Sequence, residues 1–342
     1  MRLDVLVPTY NRATLLQRTL ESFLSAERPE GLSVAITVID NRSRDNTRGV
    51  VESFVPRFAG SLHYLYEATP GRSHALNTGI AATSGDLVGM IDDDEEVDRG
   101  WLRTVAAAFA DPAVDFIGGP YLPRWGAERP AWIGTGYRSA VGWAESGQAV
   151  RRFGQGFDGM LMGGNAVVRR SVLERVGPYA GDLGRTPGGR LLSCEDDDMF
   201  ARLLEVGARG YYRPDLIIHH YVPPERLTKR YFRRWCFWRG VSLGVLDRRR
   251  PAPVRYLLGV PRYMVGSAIR GAVDRVTRLF DGRDPARSFK NELAWWDLAG
   301  FVYGKHLHRT DAWIARLKVL ISRSPAKLHG GRSAPLASDK TS

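Results

Sequence analysis

The chain has 342 residues, a formal net charge of +12, 44% hydrophobic and 25% charged residues. That composition excludes a disordered chain and leaves room for one large folded domain or two ordinary ones. The two cysteines, Cys194 and Cys236, make neither a disulfide framework nor a metal site, and the basic balance points to an anionic partner: nucleic acid, a phosphate-bearing substrate or a membrane surface.

In chain order, Leu3 to Val7 reads as a buried strand, and Asn11 is placed to cap a helix running to about Ala26. Val34 to Ile39 is a second strand, followed by a helix from about Thr47 to Phe58. Leu62 to Tyr66 is a third strand, Arg72 to Ala82 a helix and Asp86 to Ile91 a fourth strand. Strands alternating with helices at this spacing predict parallel βαβ units, which bind ligands at the C-terminal edge of the sheet. Three polar clusters fall at that edge: Pro8-Thr9-Tyr10-Asn11-Arg12, Asp40-Asn41-Arg42-Ser43 and Asp92-Asp93-Asp94-Glu95-Glu96.

From Pro120 to Gly164 the pattern loosens into loops and edge strands. Asn165 to Val168 is a short strand, Ser171 to Val176 a helical turn and Glu195 to Val206 a helix with acids in its first turn. Tyr211 to Ile218 reads as one strand ending in His219-His220. Beyond about Glu225 the chain is helical, aromatic and basic, and after about Ser322 its composition predicts a disordered tail. No run is long and apolar enough for a membrane span, since Tyr256 to Ile269 is broken by Pro261 and Arg262. The N-terminus lacks the apolar stretch and cleavage site of a secretion signal, so the expectation is a cytoplasmic protein, with peripheral attachment to the inner face of the cell membrane kept open.

The acidic run carries the most chemistry. In an extended segment Asp92 and Asp94 point the same way and Asp93 the other. Carboxylates that converge in a cleft are costly unless a cation or a proton offsets them. Oxygen-only ligands favour a hard ion, Mg²⁺ or Mn²⁺, which takes its remaining ligands from water and substrate phosphates. The alternative is a solvated acidic turn. Arg72 is within reach of a diphosphate bound here.

The ordered set Val5-Leu6-Val7-Pro8-Thr9-Tyr10-Asn11-Arg12, Val38-Ile39-Asp40-Asn41-Arg42-Ser43, Ala75-Leu76-Asn77-Thr78-Gly79-Ile80, Ile91-Asp92-Asp93-Asp94, Gly163-Gly164-Asn165-Ala166 and Cys194-Glu195-Asp196-Asp197-Asp198 resembles the family 2 glycosyltransferases, over roughly residues 3 to 240. The resemblance implies an α/β GT-A fold: a Rossmann-like, mostly parallel sheet flanked by helices, here with a C-terminal helical extension. It implies inverting transfer of a sugar from a nucleotide diphosphate sugar to an acceptor hydroxyl, in polysaccharide, glycolipid or other glycoconjugate synthesis. Pro8, Thr9, Tyr10, Arg12, Asp40, Arg72, Asn77, Asp92 and Asp93 would then bind the donor. Gly164, Asn165 and Glu195 would meet the sugars, and Asp196 would be the base. Asp94 and Asp92 would hold the metal, with His219 or His220 a third ligand. Leu76 departs from the arginine that often precedes the asparagine of the Ala-x-Asn motif, and Arg72 would replace its charge.

The implied organisation is a catalytic domain over 1–224, divided into a nucleotide-sugar half (1–119) and an acceptor half (120–224), a basic aromatic extension over 225–321 and a tail over 322–342. Two other classes compete. A nucleotidyltransferase acting on sugar phosphates needs a glycine-rich phosphate loop after the first strand, and no glycine occurs before Gly31. A nucleic-acid-binding protein would use the basic face from Arg226 to Arg262, where Tyr231, Phe232, Trp235, Phe237 and Trp238 interleave with arginine. The same face suits an anionic membrane and a lipid-linked acceptor. On balance no nucleic acid partner is expected.

Overall fold

A computed structural model describes residues 1–134, 137–183, 194–277 and 285–307. Thirteen strands and nine α-helices are seen among them. In the first half these are β1 (Arg2–Thr9), α1 (Ala13–Ser25), β2 (Ser33–Asp40), α2 (Thr47–Phe54), β3 (Leu62–Tyr66), α3 (Arg72–Ala82), β4 (Leu87–Met90), β5 (Glu95–Val97), α4 (Trp101–Phe109), β6 (Phe116–Gly118) and β7 (Tyr121–Trp125). The second half adds β8 (Arg151–Arg152), β9 (Ala166–Arg169), α5 (Arg170–Val176), α6 (Glu195–Glu205), β10 (Gly210–Tyr212), β11 (Ile218–Val222), α7 (Lys229–Arg249), β12 (Tyr256–Leu257), β13 (Val260–Pro261), α8 (Arg262–Thr277) and α9 (Pro285–Val302).

Eight strands form the main sheet in the order β3-β2-β1-β4-β9-β6-β10-β8. The first four run parallel, as the βαβ alternation predicts, and β9 pairs antiparallel with both β4 and β6. Alternation along β1 sorts its side chains. Leu3, Val5 and Val7 enter the core beneath α1, α2 and α4, while Leu6 joins the core on the opposite face with Leu76, Val172 and Leu203. Each such fully buried aliphatic stabilises the fold by roughly 1.5–3 kcal/mol. On α1, Leu16, Thr19, Leu20 and Phe23 make the buried stripe at helical spacing.

Several expectations need correction. Asn11 does not cap α1. It sits at φ 52° and its side-chain oxygen accepts the Arg44 N–H at 2.7 Å, while Asp45 from the β2–α2 loop takes the Ala13 N–H at 2.9 Å. The segment read as one strand, Tyr211 to Ile218, is two. Tyr211 and Tyr212 stay in the main sheet, the chain turns, and Ile218 starts a second sheet ordered β5-β11-β7 that includes both histidines. The acidic run is not extended either: it turns at Asp93-Asp94 before β5 begins. The stretch after it, left without elements by the sequence reading, holds α4, whose Trp101, Leu102, Val105, Ala108 and Phe109 are buried at helical spacing.

Residues Met1–Lys305 form one compact unit that includes α7, α8 and α9. Helices α7 and α9 touch backbone to backbone. A Cβ on Gly240 would lie 2.1 Å from the Asp297 carbonyl oxygen, and one on Gly300 would lie 1.9 Å from that of Phe237. Arg233 pairs with Glu292 and Arg239 with Asp297 across the same seam. The expected tail, 322–342, lies outside the described residues.

Candidate active site

The acidic strand end is offset acid by acid. Asp92 receives Arg72 Nε at 2.8 Å. Asp93 receives the Thr9 hydroxyl and Arg12 Nη1, both at 2.8 Å, and the same Nη1 reaches Asp94 at 2.9 Å. Arg226 Nη2 approaches Asp94 at 3.4 Å. Glu96 points away, to Arg18 and Arg124. Glu95, with 1% of its surface exposed, accepts the Asp92 backbone N–H at 2.8 Å. Burial, and then the charges of Asp92 and Asp94, hold its carboxyl well above the ordinary range. Burial also raises Asp93, to about 6, against the pull of Arg12.

One oxygen each of Asp92, Asp94 and Glu95 lies within 4.8 Å of the others. His220 adds a nitrogen: its Nε2 is 3.6 Å from Asp94 Oδ2 and 3.1 Å from Arg226 Nη1, and its Nδ1 is 3.1 Å from the Val141 carbonyl oxygen. Arg226 can only donate, so Nε2 accepts and Nδ1 carries the proton. That tautomer leaves Nε2, beside the acids, as the unprotonated nitrogen, which accepts from Arg226 here and is the atom by which an imidazole binds a metal. Three crowded carboxylates, two of them buried, fit a hard divalent cation.

Asp196 stands on the first turn of α6, where four acids complement the positive end of the helix. Arg72 joins it to the acidic cluster. Its Nη1 is 2.9 Å from Asp196 Oδ1 and 3.6 Å from Glu195, while its Nε holds Asp92. Its Nη2 is buried with no hydrogen-bond partner among the described residues. Asn41 sets this arginine in place. Its amide donates to the carbonyls of Glu67 and Thr69 and its oxygen accepts the Gly71 N–H at 2.7 Å, immediately before α3.

A single cavity of about 510 Å³ collects these groups. Pro8, Thr9, Tyr10, Arg12, Arg72, Asp92, Asp93, Asp94, Gly164, Glu195, Asp196 and His220 all line it. Other expected residues stand apart. Asp40 is buried, with its oxygens taken by the Ser43 N–H and the Tyr64 hydroxyl. Asn77 uses both ends of its amide on the Tyr179 backbone. Asn165 is fully buried, accepting from Trp101 and donating to the carbonyls of Pro120 and Leu216. These three brace the site rather than face the cavity. His219, next to His220 on a strand, points to the other face, 3.9 Å from Asp98.

The sequence reading missed Glu95 as a cluster member, Arg226 as the partner of His220, and Gly163. Each had a signal: the acidic run continues past Asp94, the basic loop follows the histidines, and two glycines precede Asn165. The far wall comes from Trp235, Arg239 and Leu243 of α7.

Comparison with known proteins identifies the family and the fold. The model of glycosyl transferase family 2 matches residues 4–177, just over half of the chain. The succinoglycan biosynthesis protein ExoM of Rhizobium meliloti is 27% identical over 241 residues, 68% of this chain and 72% of that protein. The glucosyl-dolichyl phosphate glucuronosyltransferase of Haloferax volcanii is 28% identical over 257 residues, 73% of this chain and 79% of its own. Among solved structures, the mannosyltransferase PcManGT from Pyrobaculum calidifontis, in complex with GDP-Man and Mn²⁺, superposes with a TM-score of 0.59 at 19% identity, over 88% of this chain and 86% of that one. The likeness in fold is to the GT-A class, and the family match sets aside the nucleotidyltransferase and nucleic-acid readings. The chain belongs to glycosyl transferase family 2 and is a glycosyltransferase that uses a nucleotide sugar.

Proposed function

We propose that the enzyme works by single displacement with inversion, Asp196 being the base and the acidic strand end the diphosphate site. The observation that carries this is one cavity holding both, bridged by Arg72. The donor's nucleotide lies against Pro8, Thr9, Tyr10 and Asn41, with Asp40 supporting the loop beneath. A divalent cation, Mg²⁺ or Mn²⁺, would be held by Asp94 and Asp92 with Glu95 and His220, and supplies positive charge for the departing diphosphate. PcManGT was solved with GDP-Man and Mn²⁺, which supports that donor and ion class here.

Arg72 Nη2, which has no hydrogen-bond partner among the described residues, would donate to a phosphate oxygen. As the acceptor oxygen bonds to the anomeric carbon, the carbon–oxygen bond to the diphosphate breaks and the acceptor's proton passes to Asp196. The acceptor enters past Trp235 and Leu243, so residues 120–224 together with α7 shape its choice. The Haloferax relative's name includes glucosyl-dolichyl phosphate, which supports a lipid-linked acceptor; peripheral attachment at the inner face of the cell membrane would bring the enzyme to such an acceptor. No helix among the described residues is long and apolar enough to cross a membrane. Proton NMR of the product formed from an α-linked donor tests the stereochemistry. A β-linked product is expected, and an α-linked product excludes single displacement.

A further inference from the structure

A two-residue turn between α7 and α8 is built against its own conformational preferences. Strands β12 and β13 form a hairpin closed by two residues, Leu258 at φ 50° and Gly259 at φ 75°. Two-residue turns with both residues in the left-handed region favour Asn-Gly or Asp-Gly, because a larger side chain is strained there. Here the first position is leucine, and 92% of its surface is exposed. Its neighbour Leu257 is 50% exposed. Backbone preference disfavours leucine at this place, and the core gains nothing from it. What remains is contact with something outside the described residues.

The surroundings say what. The hairpin leads straight into α8, whose first N–H donates to the Arg255 carbonyl at 2.8 Å. At 100° per residue, Arg262, Tyr263, Ile269, Arg270 and Val273 share one side of α8, and all five are exposed. The opposite side, with Met264, Ala268 and Gly271, is buried. A Cβ on Gly271 would lie 3.4 Å from the Trp295 indole nitrogen, so exposed Trp295 of α9 adjoins this helix. Between Asp247 and Asp274 the sequence has six arginines and no acid, and Arg255, Arg262 and Arg270 are exposed. Apolar tips and aromatic side chains among arginines, with no carboxylate between, complement an anionic bilayer surface: leucine enters the acyl boundary while arginine stays at the headgroups.

We propose that the Leu257-Leu258 hairpin tip and the outward side of α8 form the docking surface of the enzyme for an anionic lipid bilayer. This deepens the peripheral attachment inferred above and moves it. The sequence had placed that role partly on α7, but Phe232 and Trp235 pack with Trp132 and Phe289, and Arg233 and Arg239 pair with α9. Those aromatic and basic side chains of α7 are committed to packing, to ion pairs and to the cavity wall.

Leu258→Asn tests it. Asparagine suits the turn better, so the thermal midpoint should hold or rise. Sedimentation of full-length protein with vesicles of one-third phosphatidylglycerol in phosphatidylcholine, and with phosphatidylcholine alone, is measured without donor or acceptor. The wild type should bind the anionic vesicles and release them at high salt. The variant should bind at least about tenfold more weakly, since it loses one inserted leucine. Wild-type and variant binding of equal strength would overturn this surface while leaving peripheral attachment standing elsewhere. Absence of wild-type binding would remove both, and sugar transfer, assayed separately on a soluble acceptor, would be untouched. A concentration-dependent dimer abolished by Leu258→Asn, with no vesicle binding, would assign the surface to a second copy and refute the proposal.

Discussion

Adding one methyl group at Gly163 should disable the base without touching it chemically. A Cβ there would lie 1.9 Å from Asp196 Oδ1 and 2.1 Å from its Cγ, whereas real Cβ contacts essentially never fall under 3.0 Å. Relief demands a shift of at least 1.1 Å, the difference between 3.0 and 1.9 Å. The atoms in the way end a side chain, so the carboxylate moves rather than the sheet. In moving, Asp196 leaves Arg72 Nη1, now 2.9 Å away. A misplacement of about 1 Å at a reacting group costs on the order of 10²-fold in rate. Gly163→Ala should therefore lower kcat by roughly that factor with donor affinity little changed and a nearly native thermal midpoint. Gly164→Ala is the contrast, because its Cβ would meet Glu95 Oε1 at 2.4 Å and should raise the cation concentration needed for half-maximal activity. The assay is steady-state transfer at saturating donor against a Mn²⁺ titration, with melting curves alongside. A Gly163→Ala enzyme with wild-type kcat would refute the reasoning.

Asp196→Asn keeps the shape but cannot take the acceptor's proton, so turnover should fall roughly 10²-fold or more while donor affinity, read by calorimetry, holds. Collapse of donor affinity instead would move Asp196 to the donor site. Asp94→Ala should abolish activity and the Mn²⁺-induced rise in melting temperature while leaving the protein folded; an unchanged Mn²⁺ response would remove Asp94 from the cation site. The pH dependence of stability should carry the mark of Asp197, whose carboxyl burial raises from 3.8 to about 6. A raised folded value means that its contribution is fully present below about 3.8 and fades as pH rises through 6. Asp197→Asn should gain on the wild type by up to roughly 3 kcal/mol between pH 4 and 8 in urea melts. Parallel stability curves for the two proteins would contradict it.

The parallel half of the sheet was legible because β1, β2 and β3 are largely apolar runs each followed by a helix, and β4 is a fully apolar run. The site loops were legible because polar residues at the C-terminal ends of such strands have few structural duties. What local pattern could not supply was where a side chain ends. Asp40, Asn77 and Asn165 lie within recognisable motifs, yet their polar atoms are committed to Tyr64, Tyr179 and Trp101 with their neighbours, far along the chain. His219 and His220 are equivalent in composition and opposite in position. Only the pairing of β11 with β5 and β7 decides which of them faces Asp94. Arg12, Arg72 and Arg226, from three separate segments, offset Asp92, Asp93 and Asp94, while Arg18 and Arg124 take Glu96.

The measurement closest to the central claim is the phosphorus-bearing product. Purified enzyme is incubated with a panel of sugar nucleotides and Mn²⁺, with and without excess EDTA, and the released nucleotide is resolved by anion-exchange chromatography. The account predicts a nucleoside diphosphate from at least one donor, formed with Mn²⁺ and absent with EDTA. Release of pyrophosphate or of a nucleoside monophosphate, or diphosphate formed at full rate in EDTA, would contradict it.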